Sequence, residues 1–176
     1  IPANDADALE SAMTQDVCAV IAEPIQGEGG VLPLDAEFVK AMSDIAAEKN
    51  ILLIADEVQT GNGRTGKLYG YMNYNLQPDI VTTAKGIGGG LPIGVTMLGE
   101  KLEDVFAPGL NGSTFGGNPV CCAGAISILE RLDDEFMTEV AKKSEYIFSE
   151  LGGAKGVEGL SGMGLMIGIK AEKPAK

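Results

Sequence analysis

The stretch Ile51–Leu68, ILLIADEVQTGNGRTGKL, decides the reading of the fold. It opens on ILLIA, an unbroken apolar run of the kind expected for a strand buried on both faces of a parallel sheet. Asp56 and Glu57 end the run, and a glycine-rich loop follows from Gly61 to Gly66. In an open parallel sheet, ligands bind in the crevice at the carboxyl ends of the strands, which is where Asp56 stands. Val17–Ala22 (VCAVIA) has the same character and also ends in an acid, Glu23. Both acids would serve equally as solvated strand ends. Between the two runs, Asp35 is placed to cap a helix whose Phe38, Val39, Met42, Ile45 and Ala46 share one face. Strand, helix and strand at this spacing predict a right-handed βαβ unit and an α/β fold.

Further along the chain, shorter strands are expected at Ile80–Thr83 and Ile93–Leu98. Asn118-Pro119 predicts a helix running to about Leu132, opened by an N-cap and a first-turn proline. Asp133 or Asp134 starts another, with Met137, Val140, Ile147 and Leu151 on one stripe, and Gly152-Gly153 ends it. Gly162–Ile169 reads as a last strand with no partner nearby in sequence. The charged, proline-containing end from Lys170 and the connector-like Ile1–Asn4 suggest a chain that starts and stops inside a longer protein.

Composition narrows the chemistry. With 176 residues, 45% of them hydrophobic and 22% charged, the chain has material for one compact core, not a disordered segment. Thirteen basic residues against 25 acidic ones give a net charge of −12, a field that repels nucleic acid and anionic membrane surfaces. No apolar run approaches the roughly 20 residues of a membrane span. Histidine is absent. Ser-His-Asp and Cys-His nucleophile systems and His-ligated zinc are therefore excluded within the chain, and a catalytic base must be Lys, Asp, Glu, Tyr or Cys. Cys18, Cys121 and Cys122 form no CxxC motif and suit small buried thiols in a reducing, cytoplasmic compartment, with no metal site expected.

Three constellations could carry chemistry. The segment GNGRTGKL (61–68) satisfies two nucleotide-binding patterns in form. The P-loop pattern needs Ser or Thr where Leu68 stands, and the dinucleotide fingerprint should follow its strand directly. A loop shaping a cleft is the better account. Lys85 follows an apolar strand and precedes GIGGGLP, so small residues on both sides leave room for a planar ligand. A sheltered lysine has a lowered pKa and forms Schiff bases, although a lysine before glycines is also an ordinary surface feature. A lysine together with an aspartate ending a neighbouring strand matches the needs of pyridoxal phosphate. The aspartate keeps the ring nitrogen protonated and the lysine holds the aldehyde, with no histidine required. Ser113–Pro119 (STFGGNP) adds hydroxyls and backbone N–H groups at a helix start, either a phosphate seat or a plain capping turn.

The strings AEPIQGEGG, ADEVQTGNGRTG, TTAKGIGGGLPIG and GSTFGGNPVCCAGA, in this order, resemble the class III, ornithine-type branch of the fold-type I pyridoxal-phosphate aminotransferases. YMNYNLQPDI and GMGLMIGI most resemble the members that act on N2-acetylornithine. The resemblance implies that Lys85 is the Schiff-base lysine and Asp56 the pyridinium partner. It implies that Val58 packs on the ring and that Gln59 bonds its phenolic oxygen. Thr114, with Ser113 beside it, would reach the cofactor phosphate of a partner subunit in a homodimer. Glu28 would be the acid near the distal end of the substrate, and Arg64 a structural residue held in a salt bridge. Asn111 stands where members usually carry histidine.

On this resemblance, residues 1–132 form the later half of the mainly parallel-sheet large domain with its connecting helix, and 133–176 begin the small C-terminal domain. The implied reaction moves the terminal amino group of N2-acetylornithine to 2-oxoglutarate, a step of arginine biosynthesis. Ornithine or 4-aminobutyrate as amino donor, or a non-catalytic nucleotide-binding module, are the alternatives. The 176-residue chain alone is expected to be inactive and to bind the cofactor weakly.

Overall fold

A four-stranded sheet forms the centre of the computed structural model, which describes residues 1–172. Helix α1 (Ala6–Ala12) precedes β1 (Ala19–Ala22), and a short antiparallel pairing of β2 (Ile25–Gln26) with β3 (Leu32–Pro33) follows. Helix α2 (Ala36–Glu48) leads into β4 (Leu52–Asp56), and β5 (Ile80–Thr83) and β6 (Val95–Leu98) complete the sheet in the order β1-β4-β5-β6. β1, β4 and β5 run parallel, while β6 closes antiparallel to β5. Helices α3 (Pro119–Leu129) and α4 (Asp134–Leu151) then lead to an antiparallel hairpin of β7 (Val157–Met163) and β8 (Met166–Ala171). The architecture is the α/β one that the apolar runs predict.

The core lies between the sheet and α2. Phe38, Val39, Met42 and Ala46 of α2 pack with Leu53 of β4 and with Leu9, Leu34, Ile51 and Leu76. Each large side chain so buried contributes about 1.5–3 kcal/mol. Leu9, completely buried, pins α1 to this cluster. Farther across the sheet, Ala55 and Val81 pack under Tyr69, whose ring stacks on that of Tyr71.

Several expectations need correction. The strands were expected to be buried on both faces, yet Ile21 is 61% exposed. Residues alternate sides along a strand, and the better covered side of the sheet is the one bearing Leu53 and Ala55. Asp35 stands at the N-cap of α2 but its side chain makes no capping bond; its own N–H donates to Asn4 Oδ1 at 2.9 Å. Ile45 is only partly buried. Helix α3 stops at Leu129, before the expected Leu132. The final strand does have a partner: Gly162–Ile169 straddles the turn between β7 and β8, because Gly162 and Gly164 take positive φ values of 105° and 60°. The caps at Asn118 and Asp133 form as expected, through bonds from Val120 and Cys121 N–H and from Phe136 N–H. The end beyond Glu172 lies outside the described residues.

Candidate active site

Asp56 is the last residue of β4 and stands opposite Thr82 of β5. Its Oδ1 accepts the Val58 N–H at 3.0 Å, and its Oδ2 accepts no hydrogen bond among the described residues. The next residue, Glu57, is completely buried. Its carboxylate accepts from Thr60 Oγ1, Gly70 N–H and Tyr71 N–H, each at 2.7 Å. Burial pushes the Glu57 carboxyl above the usual carboxylate range and the nearby Asp56 charge adds to this, against the pull of the three hydrogen bonds. These bonds fasten the loop after β4 to the 3₁₀ turn at Gly70–Tyr74 and so fix Val58 and Gln59. Sequence reading gave Glu57 no role; the signal was the second acid at the strand end.

Lys85 opens a 3₁₀ turn directly after β5 and takes φ +48°, a left-handed conformation rare for a lysine. Val58, Gln59, Asn62, Arg64 and Lys85 line one cleft of about 200 Å³. Gln59 is held from two sides. Its Nε2 lies 3.5 Å from Glu28 Oε1, at the outer limit of a hydrogen bond, and its amide fills the space where a side chain on Gly27 would be. Gly27 is fixed by its N–H bond to Glu23 Oε2 at 3.0 Å, so the acid that follows β1 shapes the turn carrying Glu28. The glycine-rich loop shapes the cleft as expected.

Other expectations are revised by the geometry. Lys85 is exposed in this chain, so it lacks the shelter that its glycine-rich surroundings suggested. Arg64 makes no salt bridge among the described residues, and it lines the cleft instead. Cys18 is exposed, unlike buried Cys121.

Asp56 lines an adjacent cavity of about 290 Å³, shared with Glu23 and Gln26. Lys85 lies three residues beyond Thr82, the partner of Asp56 in register. With strands about 4.8 Å apart and a rise of about 3.3 Å per residue, the two Cα atoms are within about 11 Å. Ser113 and Thr114 are exposed on the segment before α3 and do not line the Lys85 cleft. The phosphate seat expected there is partly taken, because Asn118 Oδ1 already accepts the Val120 and Cys121 N–H groups. Val58, Gln59 and Lys85 are thus brought together, with Glu28 beside Gln59 and Asp56 one strand over.

This donor set fits pyridoxal phosphate: an amine, a carboxylate oxygen free to accept from a ring nitrogen, a side-chain amide, and an apolar side chain to pack on a ring. No group of three or more His, Cys, Asp or Glu residues is arranged to hold a metal ion among the described residues. Nor is any described helix long and apolar enough to cross a membrane.

Comparison with known proteins agrees with the geometry. The family model for class III aminotransferases matches residues 2–176. The acetylornithine aminotransferase of Haemophilus ducreyi is 46% identical over 172 residues, covering 97% of this chain and 44% of the relative. Among solved structures, the acetylornithine aminotransferase of Elizabethkingia anophelis superposes with a TM-score of 0.88 at 38% identity, covering 98% of this chain and 45% of that one. The ornithine aminotransferase of Toxoplasma gondii gives 0.89 at 36% identity, covering 98% and 43%. The chain therefore spans a little under half the length of these relatives, and it belongs to the class III aminotransferase family.

Proposed function

We propose that the whole protein is a pyridoxal-phosphate-dependent aminotransferase that moves the terminal amino group of N2-acetylornithine to 2-oxoglutarate. The observation that carries this reading is the cleft in which Lys85, Val58 and Gln59 meet, one strand from Asp56, in a chain of this family. Bound pyridoxal phosphate supplies an electron sink that stabilises negative charge on the carbon bearing the transferred amino group. Lys85 Nζ is the amine that would hold the cofactor through its aldehyde group, and once freed by the incoming substrate amine it would be the base that takes and returns the proton at the substrate carbon. Asp56 Oδ2 would accept from the ring nitrogen and favour its protonated form, with Oδ1 already engaged by the Val58 N–H. Val58 would pack on the ring face, and Gln59 would donate to the phenolic oxygen. Glu28, within reach of the Gln59 amide, faces the end of the substrate distant from the transferred amine.

Ser113 and Thr114 serve the cofactor phosphate of a second subunit, which makes the working unit a cytoplasmic homodimer. Their exposure, and their absence from the residues lining the Lys85 cleft, support a role outside their own subunit's site. Residues 1–132 belong to the large domain and 133–176 begin the small one. The 176-residue chain by itself is expected to lack turnover. The 46% identity to the acetylornithine aminotransferase of Haemophilus ducreyi supports N2-acetylornithine as the amino donor. Steady-state kinetics of the whole protein on N2-acetylornithine, ornithine and 4-aminobutyrate, with 2-oxoglutarate as acceptor, test this. A higher kcat/KM for either of the latter two overturns the substrate assignment.

A further inference from the structure

We propose that Asn62 is a positioning residue for Lys85, gripping the backbone that delivers the lysine to the cleft. The inference rests on the reading of Lys85 as the amine that bonds the cofactor. Lys85 holds a left-handed φ of +48°, which a lysine adopts at an energetic cost and keeps only when its surroundings enforce it. Its own side chain is exposed and does not anchor that backbone. The 3₁₀ turn contributes bonds of its own, from Ile87 N–H to Ala84 O and from Gly89 N–H to Gly86 O, each at 3.2 Å.

Asn62 adds two bonds from outside the turn. Its Nδ2 donates to Thr83 Oγ1 at 3.0 Å and to Ala84 O at 3.3 Å, the two residues that lead into Lys85. On the other side of the lysine, the Asn62 side chain lies against Gly86, where an added Cβ would come within 3.4 Å of Asn62 Cβ. The amide can be oriented only one way, because turning it over would set its oxygen against the Ala84 carbonyl. The consequence is visible: Asn62 Oδ1 is buried with no hydrogen-bond partner among the described residues. A buried unsatisfied acceptor is unfavourable, so the orientation is held by what the NH₂ end does. Asn62 itself sits at φ +57°, a conformation that asparagine tolerates far better than most residues. The loop thus places an αL-tolerant amide where it can enforce an αL lysine.

The test uses the whole protein with bound pyridoxal phosphate and two variants. Asn62→Gly keeps the left-handed backbone freedom and removes the amide. Asn62→Asp keeps the shape and the αL tolerance but sets a carboxylate against the Ala84 carbonyl. Three readouts besides activity are taken: cofactor dissociation constant, visible circular dichroism of the bound cofactor, and hydrogen exchange in the 83–89 segment. Both variants are expected to weaken cofactor binding by about fivefold or more. They should also change the dichroism of the band and speed exchange at 83–89 while leaving α2 and β4 protected as in wild type. Should the glycine variant fail to fold, the shape-preserving aspartate variant is read alone. Wild-type values on all three readouts overturn the proposal, as does exchange that rises equally throughout the molecule. Borohydride reduction of the wild type followed by peptide mapping separates the two levels: label away from Lys85 removes the underlying reading, whereas label on Lys85 with unaffected variants overturns the role of Asn62 alone.

Discussion

Replacing Glu57 by glutamine isolates the buried carboxylate that braces the site. The native group is an acceptor on both oxygens, taking Gly70 N–H and Thr60 Oγ1 on Oε2 and Tyr71 N–H on Oε1. Glutamine offers one acceptor and one donor. If its oxygen faces Gly70, its NH₂ faces the Tyr71 N–H; if it is turned over, the NH₂ faces the Gly70 N–H. One buried donor is left unpaired either way, at a cost of about 1–3 kcal/mol, and the bonds that remain lose their charge assistance. The expected loss is about 2.5–3 kcal/mol, or close to a 100-fold fall in exchange protection of the Gly70 and Tyr71 amides. The pH dependence follows from the raised native pKa of Glu57. A carboxyl with a raised folded-state pKa contributes stability that is fully present below its unfolded value, 4.5 here, and is lost as pH rises through the folded value. The gap between wild type and Glu57→Gln should therefore narrow as pH rises from 4.5 toward neutrality. Hydrogen exchange of the 69–74 segment across that range is the assay. Equal protection in the two proteins, or a gap that widens with pH, would refute the reasoning.

Three other substitutions probe separate parts of the account. Asp56→Asn in the whole protein should abolish turnover while borohydride still fixes the cofactor to Lys85; normal turnover would show that the ring nitrogen needs no carboxylate here. Gly27→Ala sets a methyl 2.4 Å from Gln59 Nε2, the end of a flexible side chain, so urea unfolding should move by less than about 1 kcal/mol. The displaced Gln59 should nevertheless weaken cofactor binding by about tenfold, measured by fluorescence titration. Gly164→Ala meets backbone instead, with Arg64 O at 2.5 Å and Thr65 Cα at 2.6 Å, at a φ of +60°. Thermal denaturation should show a loss of about 2 kcal/mol or more, centred on the docking of the β7–β8 turn against the 64–65 loop.

The legible parts of the sequence were those with a period or a cap. Continuous apolar runs announced β1 and β4, one-sided spacing announced α2 and α4, and Asn118-Pro119 announced α3. The β2–β3 pairing was missed because two-residue strands carry no periodicity. Strand β7 was missed because VEGLSGM reads as a loop, its Gly162 being required where the hairpin backbone and Val31 approach closely. Lys85 and Asp56 stood out by residue type and position. The left-handed backbone of Lys85 could not be read, since nothing local to a lysine announces it; Asn62 imposes it from 23 residues upstream. In sequence, Asn62 reads as one more member of a glycine-rich loop. The salt bridge that the resemblance implies for Arg64 does not form among the described residues, because the loop turns Arg64 toward the cleft.

The central claim is that Lys85 and Asp56 grip one pyridine ring from opposite ends. A crystal structure of the whole protein with pyridoxal phosphate tests it most directly. The account predicts continuous density from Lys85 Nζ to the cofactor's aldehyde carbon, with the ring nitrogen within hydrogen-bonding distance of Asp56 Oδ2. A cofactor joined to another lysine, or a ring nitrogen facing away from Asp56, would contradict it.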